Sequence, residues 1–548
     1  MLRRVLLSSL LVLKAILSQA QLFIEGREVF FDETTHLWLA TLPEEMCNGN
    51  RTLSIRLQSR WTHAIIDGHR ADTTCTFYRL SPQKMYATIL SNDEGDVLAG
   101  FLAFTTLPIM RLQDHFTNDY TPATVTIADP AQESTLTATA NVKHRGGTTN
   151  AQGRHKHNYK IDFPDNLSLL QMRKDNKWLL DAGQTDVFRL RNHIATELWN
   201  DMGAQPYWST IQPKAQLGVR GRVVELFLNN QYWGIYSLTE NMDRKLIRVK
   251  KVSNGQVRGC LWKAEGYENT QMHDLTGPYN NGNDHWGSFQ VKYPDLKDND
   301  TTDWSTLYKA VSFVVNSSDE EFRKDVGQYF DIPVLVDFYL LTNVLAGIDN
   351  HGKNMLWAVY DQQTDRRLTP LPWDMDCTIG QPWAIRYGEQ YVSPYYPLHN
   401  AIHLVDRLFS TGAAHFTQEV VDRYRYLRLG CLATDSLIAR YERYYRLLTS
   451  SGAARRETQR WSGDSDLDGR TIDFDSQIAY ITDWIAKRMS YMDGRINYIY
   501  RLSLAHAAAT RQRPAASYSL SGTKMPGTGQ QLRPGIYIVG GRKTVVGR

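Results

Sequence analysis

A chain of 548 residues with 42% apolar and 22% charged residues has the composition of a globular protein, and length for about three or four domains at roughly 150 residues each. Its 62 Lys plus Arg against 58 Asp plus Glu leave a formal charge of +4, so the balance predicts neither a nucleic-acid nor a membrane partner. Two local basic groups, residues 245–251 (KLIRVKK) and Arg455, Arg456 and Arg460, read as solvated faces.

Residues 1–20 combine a basic start, an apolar centre and a small-residue end, the pattern of a secretory signal peptide. Lys14 interrupts the apolar run, which argues against a membrane anchor. The mature chain is therefore expected to begin near Gln21, to carry no transmembrane segment, and to be secreted or held at the cell surface. In an exported chain Cys47 and Cys75 are the natural disulfide pair, being close together in one small region. Cys260, Cys377 and Cys431 lack the spacing of a zinc site.

Residues 21–118 are short alternating runs (HLWLATL, LSIRLQ, MYATIL) separated by Gly, Asn and Asp, which predicts a small all-β domain, sandwich-like, in an accessory role. A second β region follows, with LTATANVKHRGGTTN leading into YKIDF. The loop Arg145, Gly146, Gly147 can cradle phosphate with its backbone N–H groups, and Lys160 on the following strand can reach it. The plainer alternative is an ordinary turn and a solvent lysine.

From Asp186 the spacing predicts a helix stopped by Gly203, with Arg189, Arg191 and Asn192 at its start as a surface ion-pair network or a phosphate-facing group. A hairpin from Val223 turns at Asn229, Asn230 and Gln231 and ends at Glu240, which could pair with Lys160. Residues 264–304 read as a long insertion loop able to cover a site. Asp331 is placed to cap a helix that has Pro333 in its first turn and is apolar on nearly every side. Amphipathic helices are predicted around 415–449 and 475–505, then a linker at 506–517 and a short β tail at 518–548.

Between them lies the stretch 343–380, where the chemistry concentrates. A loop carries Asp349, Asn350, His351 and Asn354, and the runs NMLWAVY and RLTPLPW predict a hairpin that delivers Asp374 and Asp376 just past its second strand. Oxygen ligands of this kind suit a hard cation and leave one acid free as a base. The same Asp-Met-Asp also fits the metal site of a glycosyltransferase, and a loop-capping role is the plainest alternative.

RGGTT with YKIDF, MRKDNKWLLDA, LRN, YSLTEN, IDNHGKN and PWDMDCTIG, in that order, resemble the CotH kinase family over about 119–505. The resemblance implies an α+β chain: an atypical protein-kinase-like catalytic domain, preceded by the small all-β domain and followed by the β tail. It implies a nucleotide-binding Lys160 partnered by Glu240, a catalytic Asp349, and metal held by Asn354 and by Asp374 or Asp376. The implied cofactors are ATP and Mg (or Mn), and the implied acceptor is a hydroxyl on a protein substrate. No GxGxxG precedes the lysine. The tail, with GIYIV and a basic end, resembles the C-terminal sorting domains of exported Bacteroidetes-type proteins. A catalytically silent adhesion or coat-type module, binding through some of its 29 Tyr and 14 Trp, is the alternative from another class.

Overall fold

The computed structural model describes residues 21–511 except 59, 298 and 383–390, and beyond them 517–520, 525, 535–539 and 542–546. The leader-like residues 1–20 and part of the aromatic segment after Gly380 lie outside the described residues.

The alternating N-terminal runs each bury one face, so they pair into two sheets with a shared core. One sheet has the order β2-β1-β5-β8: β1 (Leu22–Ile24), β2 (Arg27–Glu28), β5 (Gly49–Leu57) and β8 (Thr74–Leu80). The other has the order β3-β4-β10-β9-β6-β7: β3 (Phe30–Asp32), β4 (Leu37–Thr41), β6 (His63–Ile66), β7 (His69–Arg70), β9 (Met85–Ser91) and β10 (Val97–Thr105). Phe77 packs edge-on against Tyr86 at 5.0 Å and Phe104 at 5.1 Å in the core between them. The expected disulfide is absent: Cys47 and Cys75 are both free and buried. The Cys47 thiol points to the Leu42 carbonyl at 3.8 Å, and burial pushes it up to about 12 and Cys75 up to about 11. Both act as small core hydrophobes.

The next domain begins earlier than the expected boundary at 118/119. β11 (Ile109–Gln113) runs parallel to β16 (Gly221–Leu228) and closes a seven-stranded barrel, β11-β12-β13-β14-β15-β17-β16. The other members are β12 (Thr121–Ala128), β13 (Leu136–Arg145), β14 (Asn158–Leu167), β15 (Asp175–Asp181) and β17 (Gln231–Glu240). Val142, Ile161, Trp178, Leu180 and Leu238 fill its interior. The buried pair Arg111 to Glu28, at 2.7 Å, ties barrel to sandwich. The 221–240 hairpin forms as expected, with Leu228 opposite Gln231 and Asn229 in the left-handed region at φ +55°.

A five-stranded sheet faces the barrel: β18 (Cys260–Ala264), β19 (His285–Trp286), β20 (Phe289–Tyr293), β21 (Met355–Val359) and β22 (Thr369–Pro372), in the order β19-β20-β18-β21-β22. β21 and β22 are the predicted hairpin. Residues 264–304 are not a bare loop, because β19 and β20 lie within them and Trp286 and Trp304 are buried in the main core.

Helices pack against both sheet and barrel, among them Ile332–Val344 against β22 and Ala453–Trp461 against β17. α1 is Arg191–Met202, α2 Arg244–Ile247, α3 Ser305–Asn316, α4 Asp319–Tyr329, α5 Ile332–Val344, α6 His403–Thr411, α7 Phe416–Arg428, α8 Thr434–Ser450, α9 Ala453–Trp461 and α10 Phe474–Arg511. α5 is buried on every side except at Pro333, as its composition requires. Asp331 stands before it without capping it; its carboxylate accepts from the Tyr207 N–H at 3.0 Å and the Thr369 hydroxyl at 2.9 Å. α10 runs on to Arg511, into the segment expected as a linker. The tail forms an antiparallel sheet of β23 (Ser517–Ser519), β24 (Gly535–Val539) and β25 (Arg542–Val546). No helix among the described residues is long and apolar enough to cross a membrane.

Candidate active site

A cleft of about 760 Å³ lies between the outer face of the barrel and the five-stranded sheet. Strand alternation decides what faces it. The register pairs Arg145 with Asn158 and Asp181 with Ser237, which puts these four on one outward row of the barrel. All four line the cleft, with Gly146 and Gly147 at its edge. Gly146 has φ +103°, and a Cβ there would stand 2.1 Å from the Thr149 hydroxyl oxygen, so only glycine closes this loop.

The opposite wall comes from the stretch 343–380. Asn350 pins its loop to both arms of the hairpin, its amide donating to the Asn354 carbonyl at 3.0 Å and the Trp373 carbonyl at 2.9 Å. Asn354 (φ +54°) and Asp374 (φ +55°) occupy the left-handed region, which short polar side chains tolerate. Asn354 Nδ2 donates to Asp349 Oδ2 at 2.6 Å, leaving its Oδ1 available to a cation. Asp349 also takes Lys353 Nζ at 3.2 Å and the Tyr267 hydroxyl. The structure thus brings Asp349, Asn354, Asp374 and Asp376 to one cleft, together with Arg145, Gly146 and Gly147.

Asp181, which sequence reasoning missed, completes the acidic set from the barrel side. Asn192 bridges the two walls: its Nδ2 donates to Asp181 Oδ2 at 2.5 Å, and its Oδ1 accepts the Met375 N–H at 2.9 Å. The carboxylates strain one another. Burial and Asp181 raise Asp374, with Arg145 and Lys263 pulling the other way. Burial, Asp374, Asp181 and Asp349 push Asp376 well above the usual carboxylate range, and burial with Asp376, Asp349 and Asp374 lifts the neighbouring Cys377 thiol. Acids crowded with too few cations fit a divalent ion. The donors are all oxygen, as Mg or Mn prefers. These acids do not form a closed cage: among the described residues the one group of three or more His, Cys, Asp or Glu with ligand atoms within 4.8 Å is elsewhere. Mg is held in just this partial way, with phosphate and water completing its shell.

The expected Lys160 to Glu240 pair does not form. Lys160 is opposite Leu179, itself opposite Thr239, whereas Glu240 is opposite Trp178 and so shares the interior-facing row. The two side chains lie on opposite faces of the sheet. Glu240 instead meets Arg173 at 3.1 Å and accepts the Arg220 N–H at 2.9 Å. Lys160 is on the outward face near Arg145, Lys143 and Lys177, its ammonium depressed chiefly by burial. The lysine and glutamate that do pair in the cleft are Lys263 and Glu265 on and just after β18, at 3.2 Å. Their spacing in WKAE, two residues apart on a strand, places both on one face.

Arg189 and Arg191 are buried rather than on the surface, Arg189 on Glu457 at 2.7 Å and Arg191 on Asp186. Arg456 is likewise no solvated cation: it grips Glu225 through two bonds of 2.7 Å. Glu457 and Glu225 lie far away in sequence, so the local runs around Arg189 and Arg456 carried no sign of them.

The family described as CotH kinase protein matches residues 142–492. The chain belongs to the CotH kinase family. The match runs from the third barrel strand into α10 and takes in both walls of the cleft. It supports an atypical kinase-type activity on a mixed α+β chain with an all-β N-terminal region and a helical C-terminal part. A search of curated proteins gives no match. Among solved structures, the fibronectin(III)-like modules of Clostridium thermocellum CbhA align at 7% identity over 28% of this chain and 90% of theirs, with a TM-score of 0.09. That likeness is too slight to bear on the fold.

Proposed function

We propose that this CotH-family chain is an exported, metal-dependent phosphotransferase that moves the γ-phosphoryl group of ATP to a hydroxyl of a protein. The observation that carries this reading is the convergence of Asp349, Asn354, Asp374, Asp376 and Asp181 on one cleft whose cations, Arg145, Lys263 and Lys353, face the same space. Asn354 Oδ1 with Asp374 or Asp376 would hold Mg or Mn, and the ion when bound would neutralise phosphate charge.

Asp349 takes the proton of the attacking hydroxyl, whose oxygen bonds to the γ-phosphorus as the bond to the β-phosphate oxygen breaks and ADP leaves. Lys353, held beside Asp349, offers positive charge to the group in transit. The Arg145–Gly147 loop and Lys263 grip the phosphates, Lys263 taking the position that the sequence assigned to Lys160. The leader-like residues 1–20 and the β tail support export to the cell surface, and the tail fits a sorting role. Purified mature chain should bind ATP with Mg or Mn and transfer radiolabelled phosphate to protein. Absence of nucleotide binding with either metal would favour a silent adhesion module.

A further inference from the structure

Outside the cleft, the insertion and the helical lobe bring two imidazoles and a carboxylate together. His273, His403 and Asp406 each present a ligand atom, all within 4.8 Å of one another. His403 and Asp406 open α6 three residues apart, the spacing that puts side chains on one helical face. His403 Nδ1 stands 3.8 Å from Asp406 Oδ2. His273 arrives from the insertion, its ring centroid 5.0 Å from that of His403. Asn400 Nδ2 donates to Asp406 Oδ1 at 2.6 Å, which orients the carboxylate and leaves Oδ2 turned to the histidines. Arg407, the nearby cation, is directed away to the Val314 and Ser317 carbonyls and to Asp319.

We propose that His273, His403 and Asp406 form a second metal site, for a borderline divalent transition ion of the zinc class, with a water in the fourth position. Two imidazoles and one carboxylate are a three-ligand zinc set, and imidazole nitrogen selects against the Mg that an all-oxygen site takes. The site joins parts of the chain far apart in sequence. His273 follows Gln271, whose Nε2 donates to the His351 carbonyl at 3.0 Å, two residues after Asp349. The same insertion carries Tyr267, whose hydroxyl binds the Asp349 carboxylate. An ion here fastens the insertion to α6 and thereby steadies the loop that holds Asp349.

The test uses mature protein without a histidine tag, stripped by chelator and held in excess Mg to fill the cleft. Titration with Co²⁺ should give a visible absorption band that saturates at one equivalent and is displaced by Zn²⁺. His273→Ala and His403→Ala should each weaken binding more than about 100-fold, since loss even of a partner behind a ligand costs about 10- to 100-fold. Asp374→Asn should leave the band unchanged, and Zn²⁺ should slow proteolysis within residues 264–304 in the parent but not in His273→Ala. No saturable band, or a band retained by the His273→Ala/His403→Ala double variant, overturns the site. Should His403→Ala fail to fold, His273→Ala decides alone, because His273 lies exposed on a loop.

Discussion

Two groups of buried ionisable side chains adjoin on the same barrel wall, close enough for Lys156 of one to feel Asp181 of the other, and they are built on opposite principles. Behind the wall, Lys156 is wholly buried, 3.3 Å from Glu457, and donates to the Ala182 carbonyl at 2.9 Å and the Ile235 carbonyl at 2.5 Å. Glu457 in turn takes Arg189 at 2.7 Å and the Ile235 N–H at 2.6 Å. Burial still drags Lys156 down to about 7, yet every charge there has a partner. In the cleft the acids outnumber the cations facing them, and Asp376 is pushed up by its own neighbours. Balanced buried charge holds the fold together, whereas unbalanced charge is kept only where a ligand supplies the missing sign.

The largest effects should separate these groups by what they disturb. Asp374→Ala or Asp376→Ala should abolish metal-dependent transfer while leaving thermal stability equal or slightly higher, because each removes a buried carboxyl whose charged form its neighbours disfavour. Asp349→Ala should lower transfer by about 10²- to 10⁴-fold with metal and nucleotide binding largely kept. A cleft variant that unfolds the protein would break the distinction. So would Asp349→Ala transferring phosphate at the parent rate.

Glu457→Ala should do the reverse. It strands Lys156 and Arg189 in the interior, and loss of one partner from a buried pair costs about 3–5 kcal/mol. Urea denaturation should show the midpoint falling at an unchanged slope. The little protein that remains folded should keep its affinity for ATP.

How much of this could be read from the sequence follows the same division. Asp349, Asn354, Asp374 and Asp376 were legible because one loop and one hairpin deliver all four within a few turns of chain. The sandwich and the Arg145–Gly147 loop were legible for the same local reason. Asp181 was not, since only the pairing of β15 with β17 brings it to the cleft, and Asn192, named with Arg189 and Arg191 as a possible phosphate-facing group, reaches the cleft wall through the docking of α1 while the two arginines turn inward. Lys160 and Glu240 failed on parity: a shift of one residue in register moves a side chain to the other face of a sheet, and Thr239 occupies the place that pairing required of Glu240. Arg456 looked solvent-exposed because its partner, Glu225, is on a barrel strand remote in sequence.

That parity result sharpens the choice of phosphate-binding lysine. Lys263→Met should weaken ATP by the loss of a charged hydrogen bond, about 1.5–3 kcal/mol, or roughly tenfold or more in affinity. Lys160→Met should weaken it less, since Lys160 lies in a cationic patch with Lys143 and Arg145 nearby. Calorimetric titration of both variants checks the order, and a larger loss for Lys160 would return the role to that residue.

The smallest effect concerns His193, a half-buried residue on the cleft wall that belongs to neither group because its ring is kept neutral. Its ring nitrogens meet the Ser237 hydroxyl at 2.6 Å and the Tyr444 hydroxyl at 2.8 Å. Burial lowers it to about 4, with Glu197 and Asp181 pulling upward and Arg222 and Arg443 pushing down. The sign follows from proton counting. Above about 6.5 both folded and unfolded chains hold the ring neutral, so the full stability is present. Between about 6.5 and 4 the unfolded chain takes up a proton that the folded chain refuses, so stability falls as the pH drops, by at most about 1.4 kcal/mol per pH unit from this group. Below about 4 the folded ring protonates too and the contribution levels off. Unfolding free energies measured from pH 7 to pH 4 should therefore fall less steeply in His193→Gln, which keeps a polar side chain but cannot titrate. An identical slope in parent and variant would mean that the ring is charged in the folded protein, with Glu197 and Asp181 outweighing its burial.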